Sequence, residues 1–379
     1  MAAEEILRPG GQVPAVEERI SVASQRQLIW WRFRKHRLAV ISGVIVILFY
    51  LIAIGADFIA SSDPSATSAA HGLMPPQPVR LFDGWKPGPH VCAVSGGRDP
   101  ATFKRVYQRD CDSKTPVRLF ARGFGYKFLG VIRTDRHLVG VGGGAKPEET
   151  LFLLGTDKLG RDLFSRIIYG TRVSLTIGLF GVGLTLVFGI VLGAISGYYG
   201  GFIDNMIQRI IEIVRSVPTI PLWLGLAAGL PKDWSVQRVY FAITLIISLF
   251  TWTGLARVVR GRFLAMREEE FVTAAMLAGA TQRRIIFRHM LPSFYSHIIA
   301  AATLSVPIMI VSETALSFLG LGLRPPAISW GVLLQSSQNI QTIALTPWLM
   351  LPAVPVIVVI LALNFFGDGL RDAADPYAS

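Results

Sequence analysis

Charged side chains are scarce in this sequence: 16% of its 379 residues are Asp, Glu, Lys or Arg, whereas soluble domains carry about 25%. Cysteine occurs only twice, which excludes a disulfide-dense secreted scaffold. Hydrophobic residues make up 51% of the chain, and this composition fits neither a disordered nor a collagen-like protein. With a mean hydropathy of +0.48, the composition predicts a membrane-embedded protein.

The hydrophobic residues are gathered into long runs. Four uncharged runs are each long enough to cross a hydrocarbon core about 30 Å thick, which takes about 20 helical residues. These runs are 38–56, 173–195, 239–256 and 342–367. Two further runs, 210–230 and 297–323, are interrupted by charged residues and prolines. We therefore predict an all-α polytopic membrane protein with about six transmembrane helices, because a soluble fold has little reason to bury six such runs.

Basic residues beside the spans predict the orientation of the chain. Lys and Arg are enriched in short cytoplasmic loops, and several precede the first span. They are Arg26, Arg32, Arg34, Lys35 and Arg37. Both termini are therefore predicted to be cytoplasmic. The resulting division is a cytoplasmic N-terminal segment 1–37, a first transmembrane helix 38–58, an extracytoplasmic segment 59–172, a transmembrane core 173–370 and a cytoplasmic tail 371–379.

The net charge of +12 would indicate nucleic acid if the protein were soluble. In a membrane protein the same excess is expected of loops that face anionic lipid, so the predicted partner is the lipid bilayer and no nucleic acid. The basic residues of the long segment 59–172 do not contradict the orientation, because long loops translocate largely regardless of their charge.

The extracytoplasmic segment differs in composition from the rest. An insertion near 74–147 is rich in Gly, Pro and Arg and is predicted to be loop-rich, with short β-prone pieces such as 126–132. It contains Cys92 and Cys111, which form a possible disulfide if the compartment is oxidising. Two free thiols are the alternative, because sequence does not give their distance. Beyond the insertion, helical spacing over 163–172 predicts a helix along the membrane surface.

Three ionisable residues lie inside predicted spans, where charge is costly. Glu212 and Arg215 are three residues apart, and an internal ion pair is the favoured interpretation. Glu313 has no such neighbour in the sequence. It is a candidate for the translocation path, and the alternative is a bond to another helix.

Motifs for enzymatic chemistry are not found. Residues 155–162 resemble a phosphate-binding loop, but Arg161 and Asp162 replace its lysine and hydroxyl residue, and an aspartate there would repel phosphate. No two histidines have the spacing of a zinc hydrolase helix. We predict no catalytic, cofactor-binding or metal-binding residue in this chain.

The most informative stretch is the predicted cytoplasmic segment 267–292. Three glutamates, 268–270, complement the positive end of a helix, and small alanines follow them. Gly279 then breaks the helix, and Pro292 ends or turns a second one. Small residues on an exposed helix allow a partner to approach closely. A lipid-surface helix held by its arginines is the less favoured alternative.

At these residues the chain resembles the permease subunits of binding-protein-dependent ABC importers. Their signature reads Glu-Ala-Ala, three residues, Gly, nine residues, Ile, one residue, Leu-Pro. The matching residues are Ala274, Ala275, Gly279, Leu291 and Pro292, while Thr273 and His289 replace the glutamate and the isoleucine. Further stretches, 154–175, 197–201, 288–292, 317–322 and 364–376, resemble the C-type subunits of dipeptide and oligopeptide permeases. The resemblance runs from about residue 26 to the end, and the insertion stands apart from it.

The resemblance implies partners and a role. In that family the segment near 266–290 is a coupling helix that docks on an ATPase subunit. The residues it assigns to coupling are Glu270, Ala274, Ala275, Gly279, Arg284, His289, Leu291 and Pro292. The expected partners are a sibling permease, two ATPase subunits that bind ATP and Mg²⁺, and an extracytoplasmic solute-binding protein. This chain would itself bind no cofactor and catalyse no reaction.

The resemblance implies import of dipeptides or oligopeptides across the inner membrane. The same kind of machine importing oligosaccharides or nickel is the alternative within this class, because the channel lining is not readable from sequence. An ion-coupled secondary transporter would predict inverted repeats, which the sequence does not show. A membrane-embedded enzyme would require paired chemical groups within the spans.

Overall fold

The computed structural model describes residues 25–83, 86–98, 100, 105–142 and 150–374. The first 24 residues of the predicted cytoplasmic segment and the last five of the tail lie outside the described residues. The described residues form long helices, with one antiparallel sheet between the first and second spans.

The α-helices and strands of the described residues are numbered in chain order. The helices are α1 (Gln25–Lys35), α2 (Arg37–Ile54), α3 (Ala56–Ile59), α4 (Leu163–Tyr199), α5 (Gly201–Ser216), α6 (Thr219–Ala228), α7 (Val236–Met266), α8 (Glu270–Leu277), α9 (Gln282–Arg284), α10 (Leu291–Ser293), α11 (Tyr295–Phe318), α12 (Trp330–Gln335), α13 (Ile340–Leu345) and α14 (Ala353–Ala374). The strands are β1 (Arg80–Asp83), β2 (Lys86–Arg98), β3 (Arg105–Phe128) and β4 (Ile132–Val141). A π-helical stretch, Ile285–Met290, joins α9 to α10, and 3-10 turns lie at Ala69–His71 and Pro347–Met350.

Five helices among the described residues are long and apolar enough to cross a membrane. A sixth span exists only if α5 and α6, which meet at an angle of 84°, are counted together. The run 210–230 is therefore not one straight helix. Pro218 lacks a backbone N–H and disfavours helical backbone at Val217 before it, so the chain breaks there and restarts at Thr219.

Three other predicted boundaries differ from the structure. The stretch 163–172 is not a separate surface helix but the beginning of α4, which is 37 residues long and therefore about 55 Å, longer than the hydrocarbon core. Helix α11 ends at Phe318, before Gly320, whose φ of +78° terminates it. The last span begins as a regular helix only at Ala353, because Pro347 and Pro352 interrupt the run before it.

The insertion is not loop-rich over its described residues. Its four strands form an antiparallel sheet in the order β1-β2-β3-β4, so the all-α prediction is wrong for this segment. Strand β3 is 24 residues long and pairs with β2 through its first half and with β4 through its second. Most of its side chains are at least partly exposed on both faces, so it lacks the apolar alternation by which a half-buried strand is predicted.

A disulfide joins β2 to β3. Cys92 and Cys111 are bonded, with their Cα atoms 4.5 Å apart. The bond lies where the pairing of the two strands shifts register, between Cys92 and Ala93. It therefore fixes the alignment of the two strands at the place where backbone pairing is irregular.

The loop that resembles a phosphate-binding motif is a buried cap for α4. Asp162 accepts a hydrogen bond from the Ser165 backbone N–H at 2.8 Å, the usual role of an N-cap aspartate. Asp157 pairs with Arg161 at 2.7 Å. The Asp162 carboxylate thus occupies the positive end of the helix, where a phosphate-binding loop would hold its anion.

The longest helices, α4 and α7, pack through a stripe of glycines one turn apart. A Cβ atom at Gly193 would lie 2.6 Å from the Ala256 carbonyl oxygen, and one at Gly197 would lie 2.6 Å from the Phe263 Cβ. A Cβ atom at Gly189 would likewise lie 2.8 Å from Leu255. At Gly193 and Gly197 a Cβ atom would meet backbone of α7, and at Gly189 it would meet the Leu255 side chain, so glycine allows the close approach by which helices associate in lipid.

We predict opposite effects for two glycine-to-alanine changes in α4. Gly193→Ala should lower thermal stability by about 1–3 kcal/mol, since its Cβ must displace backbone. A Cβ atom at Gly183 would meet nothing within 4 Å, and Gly183→Ala should be neutral or stabilise by up to about 1 kcal/mol through helix propensity. Thermal unfolding of the purified chain in detergent measures both. Shifts of the same sign and size would contradict the packing account.

Candidate functional site

The predicted coupling segment is a helix, a glycine turn and a second helical stretch, as its sequence pattern indicates. Helix α8 ends at Leu277, Ala278 is its C-cap, and Gly279 follows in the left-handed region with φ +75°. A Cβ atom there would meet nothing within 4 Å, so backbone conformation rather than space selects glycine. Thr281 then caps α9 by accepting a hydrogen bond from the Arg284 N–H.

One side of α8 is buried and the other is open. Val272 and Ala275 pack with Phe263, Ile285 and Met290 in a cluster beneath the helix pair. Ala275 is only 9% exposed, so this predicted coupling residue faces the body of the protein. Alanine spacing alone does not distinguish the two faces of a short helix.

The open side of α8 is apolar. Leu277 is 84% exposed, and Phe271 and Met276 are each 42% exposed. Ala274 and Gly279 lie on the same open side. An exposed apolar patch of this kind is typical of a surface that contacts another protein or the membrane.

The remaining residues assigned to coupling fall into two groups. Glu270 and Arg284 are exposed, at the start of α8 and at the end of α9. His289 and Pro292 are half-buried, and Leu291 is buried in the cluster beneath the pair. The signature therefore contains both surface residues and residues that hold the pair in place.

An ion pair missed by sequence reasoning fixes the base on which the helix pair sits. Arg260 of α7 donates from Nε and Nη2 to the two carboxylate oxygens of Asp204 in α5, both at 2.6 Å. Ser196 of α4 donates to the same carboxylate, and Gln208 donates to Ser196 at 3.1 Å. The arrangement joins α4, α5 and α7 beside the coupling segment, and Tyr199 at the end of α4 donates to Gln282 at 2.9 Å.

Glu313 is completely buried in α11 and does not line an open cavity. Its carboxylate accepts hydrogen bonds from Ser317 and Ser329 at 2.8 Å and from Ser174 of α4 at 3.4 Å. It thus joins α11 to α4 and to the start of α12, where Trp330 is fully buried. The alternative of a bond to another helix describes this geometry.

The predicted pair of Glu212 with Arg215 is not formed. Glu212 instead pairs with Arg209 at 2.8 Å on an exposed stretch of α5. Arg215 lines a cavity of about 740 Å³ that lies inside the bend between α5 and α6.

The cavity is lined by α5, α6, α7 and α11 and is mostly apolar. Its polar lining residues are Arg215, Thr219, Thr251, Thr253 and Ser312, and Trp223 also lines it. Trp223 is 8% exposed, and its Nε1–H has no hydrogen-bond partner among the described residues. Prolines 218 and 221 signal the bend in the sequence, but the residues that the bend brings together come from four helices and carry no local signal.

The Asp204–Arg260 pair yields a stability prediction. Asp204→Asn and Arg260→Gln should each destabilise the protein by about 2 kcal/mol, because each leaves a charged partner unsatisfied. The double variant should cost clearly less than the sum, with a coupling of about 1 kcal/mol or more. Denaturation in detergent measures all three variants.

The exposed Arg209–Glu212 pair on the same helix is the matched control. Glu212→Gln should change stability by less than about 0.5 kcal/mol, as for other surface pairs. If the stability losses of Asp204→Asn and Arg260→Gln simply added up in the double variant, the assignment of the two residues as an interacting structural pair would be contradicted.

The sequence matches two family models. Residues 189–378 match the model described as binding-protein-dependent transport system inner membrane component, and residues 24–76 match the N-terminal TM domain of oligopeptide transport permease C. The coupling segment, the Asp204–Arg260 pair and the cavity all lie within the first match.

Three curated relatives match this chain over segments of similar length. The dipeptide transport system permease protein of Alkalihalophilus pseudofirmus is 43% identical over 224 residues, which covers 59% of this chain and 71% of the relative. The oligopeptide transport system permease protein of Haemophilus influenzae is 39% identical, covering 60% and 71%. That of Bacillus subtilis is 37% identical, covering 61% and 73%.

Proposed function

The chain belongs to the family of binding-protein-dependent transport system inner membrane components, and we propose that it is the permease subunit of an ATP-driven importer of dipeptides or oligopeptides. Together with a sibling permease it forms the path for peptides that an extracytoplasmic solute-binding protein delivers. The observation that carries the proposal is the identity of 37–43% to dipeptide and oligopeptide permease proteins.

The open side of α8 supports docking of an ATPase subunit. Leu277 exposes an apolar side chain at the tip of the helix pair, while Val272 and Ala275 secure the helix from beneath. The partner would bury Leu277 and Phe271 and approach Ala274 closely, because alanine leaves room for a groove to close around the helix. Movement of the ATPase would then displace α8 as a rigid body.

The same helix pair supports transmission of that movement into the membrane. Val272 and Ala275 pack α8 against Phe263 of α7, the Tyr199–Gln282 bond connects α9 to α4, and the Asp204–Arg260 pair connects α7 to α5. Helices α5 and α7 line the cavity that contains Arg215. A displacement at α8 is therefore passed to the walls of the cavity, which we assign to the translocation path shared with the sibling permease.

The groups lining the cavity suit a peptide. The guanidinium of Arg215 can pair with a carboxylate, and Thr251 and Ser312 offer hydroxyl groups to a peptide beside an apolar wall that includes Trp223. Glu313, held by three serines, secures the helices around the path rather than contacting the solute.

In this proposal the chain is non-catalytic. ATP and Mg²⁺ are bound and ATP is hydrolysed by two partner ATPase subunits, and this chain holds no cofactor. Both termini and the helix pair lie in the cytoplasm of a cell whose inner membrane the spans cross, in agreement with the basic residues before α2 and in the α7–α11 connection.

A charge at the tip of the helix pair should separate docking from folding. Leu277→Glu removes no packing because the side chain is 84% exposed, yet it should weaken retention of the ATPase subunits about tenfold or more and abolish ATP-dependent peptide uptake. Co-purification from native membranes through a tag on the carboxy terminus, with uptake of a radiolabelled dipeptide, measures both.

Ile340→Glu is the matched control, since Ile340 is also exposed, at 82%, but lies before the last predicted span, on the predicted opposite side of the membrane. It should leave retention of the ATPases unchanged. Normal retention and uptake with Leu277→Glu would remove the basis for ATPase docking at α8.

A further inference from the structure

The hairpin formed by β3 and β4 ends in an apolar tip. Leu129, Val131 and Ile132 are 63%, 81% and 62% exposed. The turn is closed by hydrogen bonds from Gly130 N–H to the Lys127 carbonyl and from Val131 N–H to the Phe128 carbonyl, both 3.1 Å. Leu129 has φ +50°, a left-handed conformation that hairpin turns usually give to Asn or Gly. Leu129 thus has an energetically costly backbone conformation and an exposed side chain.

A pair of cations lies directly behind the tip. Lys127 on β3 and Arg133 on β4 are cross-strand partners, and both are exposed. Like charges directly opposite one another destabilise a strand pair, so an anion between them would relieve the repulsion. The apolar tip would match the acyl chains of a phospholipid surface, and the cations behind it would match the phosphates that lie above those chains.

The hairpin begins at the level where the first span ends. Helix α3, directly after α2, contacts both β3 and β4, and the ring of Phe58 lies 6.0 Å from that of Phe120. Burial and then the carboxylate of Asp57, which precedes Phe58 in α3, raise the pKa of the Tyr126 phenol. Asp57 in turn accepts hydrogen bonds from Tyr169 and Arg172 of α4, at 2.6 and 2.8 Å.

The apolar surface of the first span continues to this level. Leu51 and Ile54, in the last turn of α2, are 58% and 52% exposed and belong to a helix long and apolar enough to cross the membrane. The lipid that covers Leu51 and Ile54 therefore extends to the end of α2, directly before α3, which contacts the hairpin. The hairpin itself lies between the two segments that match family models, 24–76 and 189–378.

From these observations we propose that the β3–β4 hairpin is a membrane anchor. Leu129, Val131 and Ile132 insert into the outer interface of the same bilayer, and Lys127 and Arg133 bind phosphates of phospholipid headgroups. The anchor holds the disulfide-linked sheet at the membrane surface. This inference is independent of the transported solute, because it rests only on the insertion and on the outer end of α2.

Fluorescence of a label at the tip tests the anchor directly. The full chain with Val131→Cys is labelled with an environment-sensitive fluorophore, while the native cysteines are joined to each other, and is reconstituted into vesicles of phosphatidylcholine and phosphatidylglycerol. Quenching is measured with a spin-labelled lipid carrying its label near the headgroup, and separately with aqueous iodide. The control is Val106→Cys, a 47% exposed valine at the other end of β3.

The anchor predicts lipid quenching about threefold stronger at position 131 than at position 106, and the reverse order for iodide, because a bound segment lies within the headgroup region. Lys127→Gln together with Arg133→Gln should reduce lipid quenching at position 131 by about half or more. Unchanged quenching in that variant would overturn the assignment of phosphate to the two cations.

Two results would overturn the anchor itself. One is a label at position 131 that iodide reaches as readily as at position 106 and that the spin-labelled lipid does not quench. The other is protection of position 131 that develops only when a solute-binding protein is added, because the tip would then be a protein contact.

Discussion

The fold depends on the close approach of α4 and α7 along Gly189, Gly193 and Gly197. In lipid there is little hydrophobic driving force between helices, so association depends on van der Waals contact and backbone proximity. Alanine or any larger residue at these positions would push the helices apart, since a Cβ atom there would lie only 2.6–2.8 Å from its nearest neighbour. The ion pair between Asp204 and Arg260 and the cluster beneath the helix pair both require this separation to be small.

The close contact between α4 and α7 explains how the exposed apolar side of α8 can be coupled to the interior of the protein. The ends of α4 and α7 form the floor on which α8 and the π-helical stretch pack, through Tyr198, Phe263, Ile285 and Met290. At greater depth α7 lines the cavity, and α4 holds Glu313 through Ser174. One rigid pair of helices therefore connects the exposed apolar tip, the cavity and the polar network around α12.

Much of this arrangement could be predicted from the sequence, and the failures have physical reasons. Uncharged runs identified the spans because bilayer thickness fixes their length, and Gly279 identified the turn because its position needs a left-handed residue. The burial of Ala275 could not be predicted, since both faces of α8 are rich in apolar residues. The predicted partner of Glu212 was wrong because Arg209 and Arg215 are both three residues away from it, so spacing does not distinguish them. In the structure Arg209 forms the pair, and Arg215 lines the cavity.

The insertion was the least predictable segment. Strand β3 carries charged residues on both faces and is stabilised by its neighbours and by the Cys92–Cys111 bond rather than by a deep apolar core. Gly and Pro in this segment are typical of loops, yet here they lie in and between paired strands. Register and disulfide, which depend on contacts distant in sequence, decide its structure.

Site-specific cross-linking from the helix pair tests the central claim most directly. With the native cysteines joined to each other, a photoactivated cross-linker is placed at Leu277→Cys and, in a second variant, at Ala275→Cys, and cross-linked proteins from active membranes are identified. The account predicts a Walker-motif ATPase cross-linked from position 277, and little or none from the buried position 275. Cross-links from position 277 to lipid alone, in membranes that still take up peptide, would contradict it.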